Sequence, residues 1–154
     1  MRRSDREIAD RAGIEAILRG ASVCRVAMID GDEPYLVPFS FGFDGGAIYI
    51  HTALDGRAVA CFARGPRVCF EAERGVELVR GGETACAWSM AYESVIGYGR
   101  VEERTAPEAK AAGLNVIMRH YAGRAWTFDP AAMAKTRVWK IAIESMTGKR
   151  RPRG

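Results

Sequence analysis

Apolar and polar residues alternate along several short stretches of the chain, and this period of two is typical of strands with one buried face. The clearest example is residues 34–43, "PYLVPFSFGF", where one aromatic face alternates with small or polar residues. Asp44-Gly45-Gly46 follows and favours a hairpin turn, because glycine tolerates positive φ. Further strand-like stretches lie at 22–30, 47–53, 66–73, 94–101 and 136–148.

Three other stretches have the spacing of helices: residues 4–19, 57–64 and 107–121. The first ends at Gly20, the second is stopped by Gly65-Pro66, and the third has a proline at its start. Short strands joined by hairpins, with few helices between them, predict a mainly β (α+β) fold, an antiparallel barrel with flanking helices. No shift in composition marks an internal boundary, so we predict a single domain over residues 1–148.

Charge is concentrated at one end of the chain of 154 residues, whose formal net charge is +4. Lys149, Arg150, Arg151 and Arg153 supply four positive charges, which leaves residues 1–148 with a sum of zero. We therefore define residues 149–154 as a basic C-terminal tail, either solvated or in contact with an anionic partner. Because a nucleic-acid binder usually carries its basic face on the folded domain, no nucleic-acid partner is predicted.

Neither a membrane nor a metal is indicated by the sequence. No apolar run approaches the roughly 20 residues that span a bilayer, and the first residues lack the apolar stretch of a signal peptide, so we predict a cytoplasmic protein without a membrane partner. The four cysteines lie far apart, with no Cys-x-x-Cys pair and only two histidines in the chain. Free thiols are therefore the expectation, and no metal site is predicted.

Polar side chains gather where a predicted strand runs into a predicted helix, in "IYIHTALDGRA" at residues 48–58. His51, Thr52 and Arg57 supply a ring N–H, a hydroxyl and a guanidinium, which suit phosphate oxygens. The alternative is that Asp55 caps the helix and Arg57 is only a surface arginine. Phosphate binding and helix capping both stay open for this stretch. The sequence contains no Gly-x-Gly-x-x-Gly, Walker or Gly-x-Ser-x-Gly motif.

Five stretches, taken in order, resemble a known family. They are "MRRSDREI", "VCRVAM", "PYLVPFSFGFDGGAIYIHTALDGR", "WSMAYESVIGYGRV" and "MTGK", and together they span nearly the whole chain. They are similar to the FMN-binding split-barrel proteins, the pyridoxamine 5′-phosphate oxidase-like group, and within it to the nitroimidazole-resistance (Nim-type) branch. The resemblance implies a six-stranded antiparallel split β-barrel that forms a homodimer, with FMN in a groove at the interface.

The same resemblance implies the cofactor-binding residues. The strand Val37, Pro38, Phe39, Ser40 and Phe41 would follow the isoalloxazine edge, and His51, Thr52 and Arg57 would bind the phosphate, with Ser94 as a further polar contact. The family commonly has a second basic residue after the turn, and here that position is Ala58. Arg25 would serve either in an ion pair or as a ligand contact. Trp88 and Tyr92 would either wall the flavin or belong to the core.

The function that the resemblance implies is that of an FMN-dependent oxidoreductase. Electrons would pass from a nicotinamide or a reduced carrier to a small acceptor such as a nitroimidazole, and no catalytic side chain is assigned. The alternative function is that of a non-catalytic flavin- or haem-binding storage protein. Two other cofactors could replace FMN: a deazaflavin, or haem, which His51 could ligate. Oxidation of pyridoxamine phosphate is disfavoured, because "MTGKRRPRG" lacks the substrate-phosphate motif of that enzyme.

Overall fold

The computed structural model describes residues 3–153; residues 1, 2 and 154, the outermost residues of the predicted domain and tail, lie outside this range. The eight strands are β1 (Glu7–Ile8), β2 (Cys24–Asp30), β3 (Glu33–Phe39), β4 (Phe41–Phe43), β5 (Ala47–Thr52), β6 (Arg67–Val79), β7 (Ser89–Glu103) and β8 (Arg137–Arg151). The four α-helices are α1 (Arg11–Gly20), α2 (Arg57–Phe62), α3 (Pro107–Ala122) and α4 (Pro130–Ala134). Two 3₁₀ turns cover Ser4–Arg6 and Ala85–Ala87.

All strands belong to one antiparallel sheet, in the order β3-β2-β6-β7-β8-β5-β4, with β1 added to β8. β3 and β4 are consecutive in the chain but lie at opposite edges of this sheet, and Ser40 alone connects them. The sheet is therefore a barrel that is split between β3 and β4, and the predicted mainly β split barrel is confirmed.

The strand count differs from the predicted six for two local reasons. β1 has only two residues, too few for a periodic pattern, and the predicted strand over 34–43 is divided at Ser40. Alternation continues through Ser40, since Phe39 and Phe41 both face inward, yet Phe39 is paired with Cys24 of β2 and Phe41 with Ile50 of β5. A single residue thus moves the chain from one edge of the sheet to the other.

Aromatic side chains fill the barrel beneath the split. The Phe62 ring lies 5.4 Å from Trp139 and 5.9 Å from Phe39, measured between centroids. Phe62 and Trp139 are almost fully buried, and Phe39 packs against the core from its edge strand. Large buried rings contribute most of the hydrophobic stabilisation of such a core, since each removes about 150–250 Å² from water.

The first helix is shorter than the predicted 4–19. Asp10 is its N-cap, and its carboxylate accepts a hydrogen bond from the Gly13 amide at 2.6 Å. Ahead of this cap, Glu7 and Ile8 extend and pair with Lys149 and Gly148 of β8. The prediction was wrong there because a strand pairing with the distant chain end outweighs local helical spacing.

β6, β7 and β8 are longer than predicted. β6 and β7 continue past a register shift between Arg74 and Glu77 and form a protruding hairpin, which exposes Cys86 in its loop. β8 continues through Arg151, so three of the four basic residues that we assigned to the tail lie in a paired strand. In the same end of the sheet, Tyr92 of β7 is opposite Arg151.

α3 lies across β4 and β5, outside the barrel wall. Gly42 makes this close approach possible, because a Cβ atom built there would lie 2.5 Å from the carbonyl carbon and oxygen of Val116 in α3. The spacing did not predict the short helix α4, which begins at Pro130 and is capped by the carboxylate of Asp129. Between residues 3 and 153, no helix is both long and apolar enough to cross a bilayer.

Candidate functional site

The barrel split is bridged by a tyrosine from α3. The Tyr121 hydroxyl accepts a hydrogen bond from the Phe41 amide at 3.0 Å and donates one to the Ser22 carbonyl at 2.8 Å. It therefore connects the first residue of β4 with the loop before β2, on the two sides of the split. Because Phe41 is fully buried, its amide has no water to bond if this hydroxyl is absent.

A histidine beside this tyrosine strengthens the same bridge. The His120 Nε2 atom lies 2.7 Å from the Ala21 carbonyl oxygen, which accepts a hydrogen bond from it, and the His120 ring centroid lies 4.5 Å from that of Phe41. The spacing of residues 107–121 predicts only a helix and gives no role to either side chain. Spacing alone carries no signal for them, since the bonded groups are 80 to 99 positions away.

The predicted flavin-edge strand forms one edge of the sheet. Among residues 3–153, β3 pairs with β2 and with no other strand, so the backbone groups along its other side have no strand partner there. Val37 and Phe39 face the core, whereas Pro38 and Ser40 are exposed on the outer face. Residues 37–40 thus lie at an edge without a strand partner beside the split; Pro38 can offer only its carbonyl group there, and the Phe41 amide is already bonded to Tyr121. This edge suits a flat ligand with hydrogen-bonding groups along its rim.

Arg57 is held by two carboxylates at the turn between β2 and β3. Its Nε donates to Asp30 at 2.7 Å, and its Nη2 donates to Glu33 at 2.8 Å. The guanidinium carbon also lies 4.5 Å from the centroid of the Tyr35 ring, a cation–π geometry. The second amino group, Nη1, makes no hydrogen bond to the described residues, and the side chain is 45% exposed. The guanidinium is fixed in position with one side open.

The two carboxylates lower the net charge at this position. The hydrogen bond from Arg57 holds the pKa of Asp30 below its usual range, so Asp30 is ionised at neutral pH. Arg64 adds a more distant contact, with its Nη2 atom 3.6 Å from Asp30. An anion that binds Arg57 therefore meets two arginines and two carboxylates, and it must share the guanidinium of Arg57 with Glu33.

The other two predicted phosphate residues point elsewhere. The Thr52 hydroxyl accepts a hydrogen bond from the Trp139 indole at 2.9 Å and donates one to the Ala53 carbonyl at 2.9 Å. His51 is exposed on the opposite face of β5 and lines a hollow of about 230 Å³ against α3 and α4. Within residues 3–153, Arg57 shares no hydrogen-bond partner with His51 or Thr52, and the structure does not join the three into one cluster.

The start of α2 differs from the alternative in which Asp55 caps the helix. Gly56, at φ 121°, is the N-cap residue, and Asp55 makes no capping hydrogen bond. Ala58 is half-buried and packs against the core. Position 58 therefore supplies a core contact and no second basic group.

The remaining candidates lie on the other strands. Ser94 is half-buried in β7, opposite Glu73 and Lys149. Arg25 forms ion pairs with Glu71 at 3.0 Å and Glu73 at 3.2 Å, which supports the ion-pair alternative for this arginine. Burial raises the pKa of Glu71, and Arg25 opposes this shift.

Trp88 lies in the protruding hairpin rather than in the core. It is exposed, and its indole nitrogen donates to the Gly82 carbonyl at 2.8 Å, which fixes the ring against the loop. Tyr92 is half-buried near the open end of β7. For metals, the part of the chain that the structure describes has no group of three or more potential side-chain ligands.

Comparison with protein families decides the family. The family model described as pyridoxamine 5′-phosphate oxidase matches residues 10–150. The chain belongs to the pyridoxamine 5′-phosphate oxidase family. A comparison with curated proteins gives no significant match.

Solved structures of similar fold agree with this family. A proposed 5-nitroimidazole antibiotic resistance protein from Bacteroides thetaiotaomicron is 33% identical, with 93% of this chain and 85% of that chain covered and a TM-score of 0.81. A flavocytochrome from Azotobacter vinelandii is 19% identical, with 98% and 72% covered and a TM-score of 0.82. An FAD- and haem-binding protein from Mycobacterium smegmatis is 18% identical, with 94% and 73% covered and a TM-score of 0.82. The last two similarities show the fold alone.

This member of the pyridoxamine 5′-phosphate oxidase family has donors that fit a flavin at the split. The unpaired edge at residues 37–40 matches the polar rim of a flat ring, and the open Nη1 group of Arg57 matches a phosphate oxygen. Asp30 and Glu33 oppose the phosphate charge, so the fit comes from geometry more than from local net charge.

Proposed function

We propose that this protein is an FMN-dependent oxidoreductase. FMN binds along residues 37–40, with its phosphate at Arg57. The observation that carries the proposal is the unpaired edge of β3, with an arginine that has an open amino group bonded at the start of the same strand. Membership of the pyridoxamine 5′-phosphate oxidase family supports it.

The active form in this proposal is a homodimer with FMN at the interface. Apolar side chains are exposed along the outer face of the sheet, where a soluble monomer normally shows few. Leu36, which is 58% exposed, lies in the same cross-strand row as Ala27, Cys69 and Tyr98, and Ile96 in the adjacent row is 47% exposed. A second copy that covers this face would bury these side chains and enclose the β3 edge.

In this mechanism, bound FMN supplies two-electron transfer from a reduced nicotinamide to a small acceptor such as a nitroimidazole. The chain's own residues bind and orient the ring: the β3 edge bonds its rim, and Arg57 holds its phosphate. The outer apolar face excludes water when the second copy covers it. No side chain is assigned as a proton donor. We place the protein in the cytoplasm, where thiols such as Cys24 and Cys61 stay reduced.

The test of this proposal is the visible spectrum of the purified protein and its titration with FMN. Arg57→Ala should weaken FMN binding about tenfold or more, because a charge-assisted hydrogen bond to the phosphate is lost. Arg64→Ala is the matched control: it removes an equal charge beside Asp30, and it should change affinity less than about threefold. Wild-type protein that takes up no FMN, or equal effects of the two variants, would contradict the proposal.

Two further readouts separate the alternatives. Anaerobic bleaching of bound FMN by NADH or NADPH supports an oxidoreductase, whereas bound FMN that no nicotinamide reduces supports a storage protein. A Soret band in place of the flavin spectrum would replace FMN with haem, and the spectrum of a deazaflavin would replace it with that cofactor.

A further inference from the structure

The turn before β3 decides which backbone groups of that strand face its free edge. Gly31 and Asp32 form a two-residue loop, and Gly31, at φ 62°, fits the first central position of a type II′ hairpin turn. Such a turn closes with a hydrogen bond between its flanking residues, here Asp30 and Glu33. Bonded and non-bonded pairs then alternate along an antiparallel ladder. Every second residue from Glu33 therefore bonds β2, and the residues between them direct their backbone groups to the free edge: 34, 36 and 38.

Two prolines agree with this phase. Pro34 and Pro38 are opposite Ile29 and Arg25 of β2. Because proline has no N–H group, a paired strand tolerates it where its nitrogen faces away from the neighbouring strand. The outward-facing residues therefore offer three carbonyl groups but a single amide, that of Leu36. Outside the strand ladders, no backbone hydrogen bond among residues 3–153 uses this amide.

This uneven edge suits a small ligand better than another strand. A strand added to β3 would find one amide where a full ladder uses three, so the two prolines disfavour strand addition. The N–H and C=O groups of Leu36 point outward side by side, and its side chain is exposed on the outer face of the sheet. Such a pair matches a ring in which a carbonyl group is next to an N–H group, as in a cyclic imide.

We propose that the backbone N–H and C=O groups of Leu36 bind the imide of the flavin pyrimidine ring and thereby set the position of the ring along β3. This inference rests on the proposed FMN site. The Leu36 carbonyl accepts a hydrogen bond from the ring N–H, and the Leu36 amide donates one to a neighbouring ring carbonyl oxygen. The rest of the ring lies along residues 37–40. Glu33, which bonds Arg57, is three residues away, about 10 Å along the strand, so the ring and phosphate contacts are separate.

The test compares two substitutions at position 36. Leu36→Pro removes the amide donor, and Leu36→Ala is the matched control, because it loses the same side chain but keeps the amide. In FMN titrations, Leu36→Pro should bind at least about threefold more weakly than Leu36→Ala, since one hydrogen bond to the ring is lost. Wild type should bind 3-methyl-FMN, in which a methyl group replaces the ring N–H proton, about tenfold more weakly than FMN, because the Leu36 carbonyl loses its donor.

Urea unfolding checks that the strand is intact in these variants. Leu36→Pro should unfold at the same urea concentration as Leu36→Ala, whereas Val37→Pro should unfold at a lower one, because it removes an amide that bonds β2. A lower midpoint for Leu36→Pro than for Leu36→Ala would overturn the strand phase and the inference with it.

Two results would overturn the inference and leave the FMN proposal standing: equal FMN affinity of Leu36→Pro and Leu36→Ala, or 3-methyl-FMN binding as tight as FMN. In both cases wild type still takes up FMN and Arg57→Ala still weakens its binding. Wild-type protein that takes up no FMN would overturn both proposals together.

Discussion

The Nε atom of Arg57 donates a hydrogen bond to Asp30 at 2.7 Å across the gap between α2 and the end of β2. This contact positions the guanidinium and at the same time neutralises part of its charge. Glu33, which is 75% exposed, takes a second amino group at 2.8 Å. The arginine that we assign to the flavin phosphate is therefore already shared between two internal anions, and phosphate affinity depends on that competition.

Glu33→Gln should tighten FMN binding about two- to fivefold, because it removes the more exposed competitor and leaves Asp30 to position Arg57. The measurement is quenching of flavin fluorescence during titration. Asp32→Asn removes an equal charge from the same turn without a contact to Arg57, and it should change affinity less than the first variant. Equal tightening by both variants would show a general charge effect, and weaker binding by Glu33→Gln would contradict the competition.

Alternation of residues predicted most of the barrel because a sheet with one buried face enforces a period of two. Cys24, Val26 and Met28 are buried in β2 as that period requires. The strand edges at Ser40 and at Glu7–Ile8 were not predictable, because pairing partners are chosen by tertiary contacts that leave the local pattern unchanged. Asp10 is a residue type that favours the N-cap, but the sequence alone did not show that the helix begins directly after it.

The candidate site was less predictable than the fold. A resemblance over the stretch before Arg57 identified that arginine, but its ion pairs join residues 24 and 27 positions apart. The opposite orientations of His51 and Thr52 follow from strand alternation, which the sequence does contain. The bridge made by His120 and Tyr121 depends on how α3 docks, and no local signal encodes that.

Glu103 and Arg137 form a two-point ion pair between β7 and the start of β8. The Nε and Nη2 atoms of Arg137 donate to the two carboxylate oxygens at 2.7 and 2.5 Å, and the guanidinium also lies 4.6 Å from the centroid of the Trp139 ring. Glu103→Gln should lower the free energy of unfolding at pH 7 by about 1–2 kcal/mol. Glu102→Gln, whose partner Lys140 is 4.0 Å away, should lower it by less than about 0.5 kcal/mol.

The effect of Glu103 depends on pH with a defined sign. The hydrogen bond from Arg137 lowers the pKa of Glu103 in the folded state. The stabilisation is therefore complete above the unfolded pKa of about 4.3, and it is lost as the pH falls through the folded pKa. Urea unfolding of wild type and Glu103→Gln at pH 7 and at pH 3 should show a smaller difference at pH 3. A constant difference would contradict this account.

Tyr121→Phe tests the bridge across the split. The variant keeps the ring but leaves the buried Phe41 amide without its acceptor, so the free energy of unfolding should fall by about 1–3 kcal/mol. Hydrogen exchange of the Phe41 amide should become faster than that of neighbouring core amides. Tyr92→Phe is the control, since the Tyr92 hydroxyl has no side-chain or backbone partner among residues 3–153, and it should leave stability within about 0.5 kcal/mol.

Gly42→Ala tests the contact between β4 and α3. The added methyl group would lie 2.5 Å from the carbonyl carbon and oxygen of Val116, and since these are backbone atoms, the whole helix must move to relieve the overlap. We expect a loss of about 1–3 kcal/mol in the free energy of unfolding. Because the displaced helix carries Tyr121, the variant should also speed exchange of the Phe41 amide.

Gly46→Ala is the matched control for this substitution. Gly46 lies in the next turn, and the nearest atom to its added Cβ, Oδ1 of Asp44, is 3.9 Å away, an ordinary contact distance. It should leave both stability and Phe41 exchange close to wild type. If Gly42→Ala lowers stability but leaves Phe41 exchange unchanged, then α3 moves without opening the bridge, and the coupling between helix docking and the split is wrong. Faster exchange in both Gly42→Ala and Tyr121→Phe would show that the helix holds the two sides of the split together through that hydroxyl.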